Sequence, residues 1–161
     1  MKHIRAFENT KKYTVDDIMY SIEIDDMYKL KTILSSGVDP NSYLKYKYTP
    51  IHLAAHLINI DALDMLLEYG ADIDAINTYT NETALMSMAH EYSPIRQDLI
   101  EIMCYLIEHD ADLNPINDSK RDFIEILYRN SNESVVDNIM NRYPDKFKEY
   151  IIKRDAKKYN L

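Results

Sequence analysis

Apolar residues recur every three or four positions along most of the chain, which is the spacing of one face of an α-helix. Two short stripes of this kind follow each other near the start of the chain, each about two turns long. They contain Ile18, Met19, Ile22, Leu30, Ile33 and Leu34. Similar pairs of stripes recur downstream, so we predict an all-α fold built from consecutive helix pairs.

The two glycines of the chain, Gly37 and Gly70, lie 33 residues apart, and each follows one of these helix-like runs. Glycine at that place can take the left-handed conformation that ends a helix without a steric penalty. A third, similar string has Asp110 in the glycine position, and Asp is among the few residues that tolerate the left-handed region. The chain therefore contains internal repeats.

The segment Thr49-Pro50-Ile51-His52-Leu53-Ala54-Ala55 resembles the T-P-L-H-x-A signature of the ankyrin repeat family, which has a 33-residue period. The next copy keeps Thr83 and Leu85 but has Ala84 for the proline and Met86 for the histidine. This resemblance implies an ankyrin-repeat solenoid of about four helix-pair units with short hairpin tips and a C-terminal capping helix.

Counting in register divides the chain, taken as one domain over 1–161, into units. The third unit is longer than the second, and we expect the extra residues to form a bulge near Glu91-Tyr92-Ser93-Pro94-Ile95-Arg96, because proline is unfavourable inside a helix. The last unit lacks the signature and is expected to act as a cap. The units span about 16–48, 49–82, 83–121 and 122–143, followed by a basic helix over about 145–161.

The net charge of −8 argues against nucleic acid as the main partner, because phosphate binding needs a cationic surface. Charge is unevenly distributed: residues 142–161 carry a net charge of +4 and residues 1–141 a net charge of −12. The basic tail is either a solvated helix face or a docking segment. No apolar run approaches the length of about 18 residues that a membrane span needs.

Candidate catalytic and metal-binding residues are few. His52 and His56 stand four apart, the spacing of two zinc ligands on one helix face. The resemblance gives another interpretation, in which His52 is the signature histidine that binds the neighbouring turn and His56 is exposed. Cys104 lies in an apolar stretch typical of a core residue. We predict no catalytic residue, metal, cofactor or small-molecule substrate; a small zinc-dependent enzyme using the two histidines is the alternative.

The hairpin tips are the predicted partner-binding surface. The first tip interleaves tyrosines with lysines, and tyrosine is enriched where interfaces carry their binding energy. Two alternatives stay open: ordinary turn composition with tyrosines packed on neighbouring tips, and a nucleic-acid stacking platform, which the acidic body disfavours. The candidate contact residues are Tyr43, Lys45, Tyr46, Lys47, Thr78, Tyr79, Thr80 and Lys120.

Abundant isoleucine, tyrosine, asparagine and lysine together with degenerate repeats resemble the ankyrin proteins of poxviruses and other large DNA viruses. That resemblance implies a viral or pathogen protein that inhibits a host signalling factor, with a Rel/NF-kappaB-type pathway as the leading hypothesis. Binding would use the concave face and the tips. The alternative is a substrate adaptor whose tail recruits a ubiquitin ligase. No secretory signal is recognised at the N-terminus, so we expect the cytoplasm, with the nucleus as a second compartment, in the host cell if the protein is viral.

Overall fold

The computed structural model describes residues 12–44, 47–90, 97–131 and 133–158, and only the backbone for residues 154–158. Helices dominate these ranges, as predicted, with one short antiparallel strand pair. The helices are α1 (Val15–Glu23), α2 (Met27–Ser35), α3 (Pro50–His56), α4 (Ile60–Glu68), α5 (Ala84–His90), α6 (Gln97–Glu108), α7 (Phe123–Asn130), α8 (Glu133–Arg142) and α9 (Lys148–Lys158); the strands are β1 (Ile76–Asn77) and β2 (Glu82–Thr83).

The helices associate in sequential pairs, α1 with α2, α3 with α4, α5 with α6 and α7 with α8. The first helices of the pairs form a continuous row, in which α1 contacts α3, α3 contacts α5 and α5 contacts α7. The second helices flank this row, with α2 against α4 and α6 against α8. Successive helix pairs stacked in this way confirm the predicted all-α solenoid.

Short polar side chains start several helices. At α1, Thr14 and Asp17 form a capping box, in which the Asp17 carboxylate accepts the backbone N–H of Thr14 at 2.9 Å. Asp26, Asn59 and Asp122 cap α2, α4 and α7 with their side-chain oxygens. Caps of this kind satisfy backbone N–H groups that the first helical turn leaves without a partner.

The turn after the second helix of each of the first three pairs is left-handed, as the spacing of the glycines predicts. Gly37 has φ +89° and Gly70 has φ +85°, and Asp110, the residue in the third glycine position, has φ 65°. In the first two pairs, the connection between the paired helices contains a second left-handed position, occupied by Asp25 and Ile58, each with φ 57°. The same backbone geometry at Gly37, Gly70 and Asp110 shows that the first three units end in equivalent turns despite their different sequences.

Apolar side chains from both rows fill one continuous core. The first row is buried most deeply: in α3, every residue from Pro50 to Ala55 is buried. Leu63 and Leu66 of α4 are fully buried, and Cys104 of α6 is a buried free thiol, in agreement with its predicted core position. At the C-terminal end, Phe147 is fully buried just before α9.

The C-terminal helix begins at Lys148, a few residues later than about 145. Basic residues before it dock on the third helix pair: the Lys146 ammonium contacts Asp110 at 2.7 Å and donates to the Ile107 carbonyl oxygen, and Arg142 donates to the Cys104 sulfur at 3.3 Å. Part of the basic tail therefore binds the acidic body of the same chain. The predicted bulge at 91–96 and the end of the basic helix at 159–161 lie outside the described residues.

Candidate functional site: the hairpin tips

Three hairpin tips connect the helix pairs, and we call their described residues, 42–44, 47–48, 75–81 and 115–121, together the tip row. In the first tip, the Leu44 N–H donates to the Tyr48 carbonyl oxygen at 2.8 Å. The second tip includes β1 and leads directly into β2, with Ile76 opposite Thr83. In the third tip, the Asn117 N–H donates to the Arg121 carbonyl oxygen at 2.9 Å. Each tip is thus closed by its own backbone hydrogen bonds.

Hydrogen bonds also connect neighbouring tips. The Thr78 N–H donates to the Lys47 carbonyl oxygen at 3.0 Å, which joins the first tip to the second. The Asn81 side-chain amide donates to the Ile116 carbonyl oxygen at 3.2 Å, which joins the second to the third. Because these bonds involve backbone atoms of all three tips, the tip row is one ordered surface rather than three independent loops.

His52 fixes the base of the tips. Its Nδ1 lies 3.4 Å from the Thr49 N–H, which donates to it, and 3.0 Å from the Thr49 hydroxyl, while its Nε2 lies 3.1 Å from the Glu82 carbonyl oxygen. Nδ1 accepts a hydrogen bond and Nε2 faces a carbonyl oxygen, which is the pattern of a neutral ring with its proton on Nε2. Burial lowers the pKa of His52, in agreement with a neutral ring. His52 therefore has the structural role that the family signature implies.

A buried carboxylate continues this connection towards the third tip. Glu82 is only 6 % exposed, and its Oε1 accepts the Asn117 side-chain N–H at 2.7 Å. The same oxygen lies 2.8 Å from His90 Nδ1. Asn117 in turn accepts the backbone N–H groups of Ser119 and Arg121 with its own side-chain oxygen. Sequence reasoning missed Glu82 and Asn117, because side-chain type and spacing do not distinguish a buried carboxylate from an exposed one.

In the loops below the tips, a side chain at the same position of successive units forms hydrogen bonds with the backbone of the next loop. Asn41 donates to the Gly70 carbonyl oxygen at 3.0 Å and accepts the Asp72 N–H at 2.7 Å. One unit later, Asp74 accepts the Asp112 N–H at 2.8 Å. Burial raises the pKa of Asp74, and its hydrogen bond from the Asp112 backbone opposes that increase. Position 41 and its equivalent, position 74, therefore connect each loop to the next one along the chain.

The predicted contact residues differ in exposure. Tyr79 is 78 % exposed and Tyr43 is 50 % exposed, whereas Thr80 is half-buried, with no hydrogen-bond partner for its hydroxyl among the described residues. Lys47, Thr78 and Lys120 are exposed, and Lys45 and Tyr46 lie outside the described residues. The predicted contact residues that the structure describes thus lie together in the tip row. Their binding to a partner stays a prediction.

Two exposed apolar residues in the described tip row were not among the predicted contacts. Ile76 is 38 % exposed and Ile116 is 52 % exposed. Both occupy the sixth position after the left-handed turn residue, as Tyr43 does in the first tip. Alignment of the three tips on the turn residues would have revealed this shared position in the sequence, but its exposure depends on how the tips stack.

Other chemistry is sparse in the described part of the chain. No group of three or more histidine, cysteine, aspartate or glutamate side chains there is arranged to hold a metal ion. His56, the partner that a zinc site would need beside His52, is exposed, whereas His52 is engaged with Thr49 and Glu82. None of the helices in the described ranges has the length and apolar character of a membrane-spanning segment.

A family model described as ankyrin repeats (3 copies) matches residues 18–117, well over half of the chain. The chain belongs to the ankyrin repeat family. Two curated proteins show partial similarity to this ankyrin repeat protein. The ARF GTPase-activating protein Git of Drosophila melanogaster is 30% identical over 84 residues, which are 52% of this chain and 12% of that protein.

The second relative is the putative ankyrin repeat protein FPV244 of Fowlpox virus (strain NVSL), which is 38% identical over 55 residues. These residues are 34% of this chain and 8% of the viral protein. The similarity to both proteins thus covers a small part of their length. The predicted resemblance to the ankyrin repeat family, including its poxviral members, is confirmed, and ankyrin repeats form a protein–protein interaction module.

Proposed function

We propose that this ankyrin repeat protein is a non-catalytic inhibitor of viral or pathogen origin, which binds a host signalling factor and blocks one of its surfaces. The observation that carries the proposal is the tip row, where hydrogen bonds between neighbouring tips hold Tyr43, Lys47 and Tyr79 on one exposed surface. A preordered surface loses little conformational entropy on binding. A Rel/NF-kappaB-type factor is the first target to test.

The partial similarity to the fowlpox ankyrin repeat protein supports a viral origin. The chemistry of the described residues supports binding rather than turnover, because the histidine with a lowered pKa, His52, is tied to the backbone of its own fold. A host protein in the cytoplasm, or in the nucleus, would be the partner in this proposal.

Contacts of the tail favour the inhibitor over a ubiquitin-ligase adaptor. Tyr143 donates to Glu108 at 2.6 Å, Lys146 contacts Asp110 at 2.7 Å, and Tyr150 donates to Asp122 at 2.7 Å. Side chains that hold the end of the array are not available to recruit a second protein at the same time. The adaptor is therefore the weaker of the two functions.

Affinity capture from host cell extract tests the proposal. The full chain should retain a signalling factor, and Tyr79→Ala should weaken that capture at least tenfold, because exposed tyrosines of ordered surfaces are frequent hot spots. Tyr28→Ala is the matched control, since Tyr28 of α2 is also highly exposed, at 85 %, but lies outside the tip row. Equal loss in both variants, or no loss in Tyr79→Ala, would contradict binding through the tips.

The same capture separates the alternatives. Recovery of ubiquitin-ligase subunits that is abolished by Lys146→Ala and Tyr150→Phe together, but not by Tyr79→Ala, would favour the adaptor. Stoichiometric zinc in the purified protein that is lost in His56→Ala would favour the metal-dependent enzyme.

A further inference from the structure

Three exposed apolar side chains occupy the same position in the three tips. Tyr43, Ile76 and Ile116 each lie six residues after the left-handed turn residue of their unit, and we call them the apolar stripe. They are 50 %, 38 % and 52 % exposed. Hydrogen bonds between the tips fix their order along the array, so the stripe presents one apolar contact per unit.

The distance between successive contacts restricts the shape of a partner. Packed helices lie about 8–10 Å apart, so the stripe repeats at about that distance. In an α-helix, residues seven apart lie on nearly the same face and are separated by about 10.5 Å. In an extended strand, side chains on one face repeat at about 6.8 Å, which does not match. A helix with apolar residues seven apart therefore matches the stripe.

A polyproline helix also repeats at a compatible distance, about 9.3 Å for three residues. Segments of that kind dock in grooves lined by aromatic side chains. The stripe has isoleucine at two of its three positions, Ile76 and Ile116. An α-helix with aliphatic side chains on one face is thus the better fit to this surface.

Charge adds a second restriction. Lys47 and Lys120 each lie four residues after a stripe residue, one in the first tip and one in the third, and both are exposed. In the third tip, Arg121 offsets the exposed Asp118. The described part of the tip row is therefore cationic at both ends, in a chain whose net charge is −8. Acidic groups on a partner would be attracted to these ends and repelled elsewhere.

We propose that the tip row binds an acidic amphipathic helix of a partner protein, whose apolar residues at positions i, i+7 and i+14 contact Tyr43, Ile76 and Ile116. Acidic residues beside the outer two apolar residues contact Lys47 and Lys120. This inference rests on the proposed function as an interaction module and specifies the chemistry of the segment that is bound.

A displayed library of helix-forming 20-residue peptides with randomised surface positions, selected on the full-length chain, tests the inference. We expect the enriched peptides to have apolar residues seven apart and a negative net charge. Their affinity should fall at least tenfold for the variant Tyr43→Ser/Ile76→Ser/Ile116→Ser, and fall further as salt is raised, because exposed charge pairs are screened.

A matched control variant, Tyr20→Ser/Ile24→Ser/Tyr28→Ser, removes three side chains that are 51 %, 49 % and 85 % exposed but lie outside the tip row. This control should bind the enriched peptides as the unchanged chain does. Far-UV circular dichroism of both variants establishes that they keep the helical content of the unchanged chain.

Four outcomes would overturn the inference. The selection could enrich no peptide, or it could enrich peptides with another spacing of apolar residues or a positive net charge. The enriched peptides could bind the stripe variant as tightly as the unchanged chain, or a single-stranded DNA 20-mer or a second copy of the chain could compete with them at the tips. Capture of a host factor that depends on Tyr79, together with any of these outcomes, would leave the proposed function intact and reject only the acidic helix. If acidic helical peptides bound at the apolar stripe but no host factor were captured through Tyr79, the acidic-helix inference would stand and the proposed function would be rejected.

Discussion

Two joints of the array are built from different chemistry. Between the second, third and fourth helix pairs, at what we call the interior joint, His52, Glu82 and Asn117 are buried and bind one another or the backbone. At the end of the array, which we call the C-terminal joint, the long side chains of Tyr143, Lys146 and Tyr150 reach to Glu108, Asp110 and Asp122. Asp110 and Glu108 are exposed at the surface.

The difference follows from what each joint must cover. An interior unit is covered on both sides, so its polar groups are buried and must have partners, which short side chains with fixed geometry supply. A terminal unit meets water on one side, so flexible charged side chains suffice there. Buried hydrogen bonds to the backbone resist salt, whereas exposed ion pairs are screened by it. We therefore expect the interior joint to determine stability and the C-terminal joint to respond to solvent conditions.

The largest effect is expected from a cavity beside the interior joint. Leu66→Ala in α4 should lower the free energy of unfolding by about 2–5 kcal/mol, because Leu66 is fully buried and its neighbours can collapse only partly into the space. Urea denaturation measures this value. Leu57→Ala is the matched control, since Leu57 is 43 % exposed, and it should have a much smaller effect. Equal losses for the two variants would contradict the packing described for the second unit.

The next largest effect is a pH dependence of the free energy of unfolding, caused by His52 at the interior joint. Burial lowers the pKa of His52 from its ordinary value of 6.5, so the unfolded chain binds a proton at this residue more readily than the folded chain does. The contribution of His52 to stability is therefore complete above about pH 6.5 and is lost as the pH falls below that value. Urea denaturation between pH 7.5 and 5 measures the change.

A matched variant identifies the residue responsible for that change. His56→Gln should keep the pH dependence, because His56 is exposed, whereas His52→Gln should lower stability at neutral pH and reduce the dependence on acid. If the His52→Gln variant still lost stability steeply in acid, that loss would come from groups other than His52.

A smaller effect is expected at the C-terminal joint. Tyr150→Phe removes a hydroxyl that donates to the Asp122 carboxylate at 2.7 Å, and burial together with that bond raises the pKa of Tyr150. The loss should be about 1 kcal/mol in the free energy of unfolding, as for a typical hydrogen bond. Tyr28→Phe is the control, because Tyr28 is 85 % exposed. A Tyr150→Phe loss as large as that of Leu66→Ala would remove the distinction between the joints.

The interior part of the fold could be predicted from sequence because local chemistry determines it. The left-handed turn at Asp110 and the role of His52 follow from residue type at a fixed position in the repeat, and both predictions are confirmed. The C-terminal joint could not be predicted in this way. The contacts of Lys146 and Tyr150 depend on how α9 and the residues before it approach the third and fourth helix pairs, and many lysines on a solvated helix have the same sequence pattern.

The exposed residues of the tips could be predicted from the sequence only in part. Tyr43 and Tyr79 were recognised by residue type, and both are exposed. The shared exposure of Ile76 and Ile116 was not recognised, because isoleucine in a turn is as compatible with burial as with exposure. Similarly, the left-handed φ of 61° at Lys120 and 63° at Lys47 is not what residue type predicts, since glycine is the usual occupant of such positions.

The smallest predicted effect uses this unusual position in the third tip, next to Asn117 of the interior joint. Lys120→Gly should raise the free energy of unfolding by about 0.5–1 kcal/mol: a left-handed conformation costs an L-residue about 1–2 kcal/mol, and the greater freedom of glycine in the unfolded chain offsets part of the gain. Thermal and urea denaturation measure it. Lys31→Gly, an exposed lysine inside α2, is the control and should destabilise by a similar amount. If Lys120→Gly were also destabilising, strain at the tip would be excluded, and the Lys120 side chain would have to contribute to the folded array.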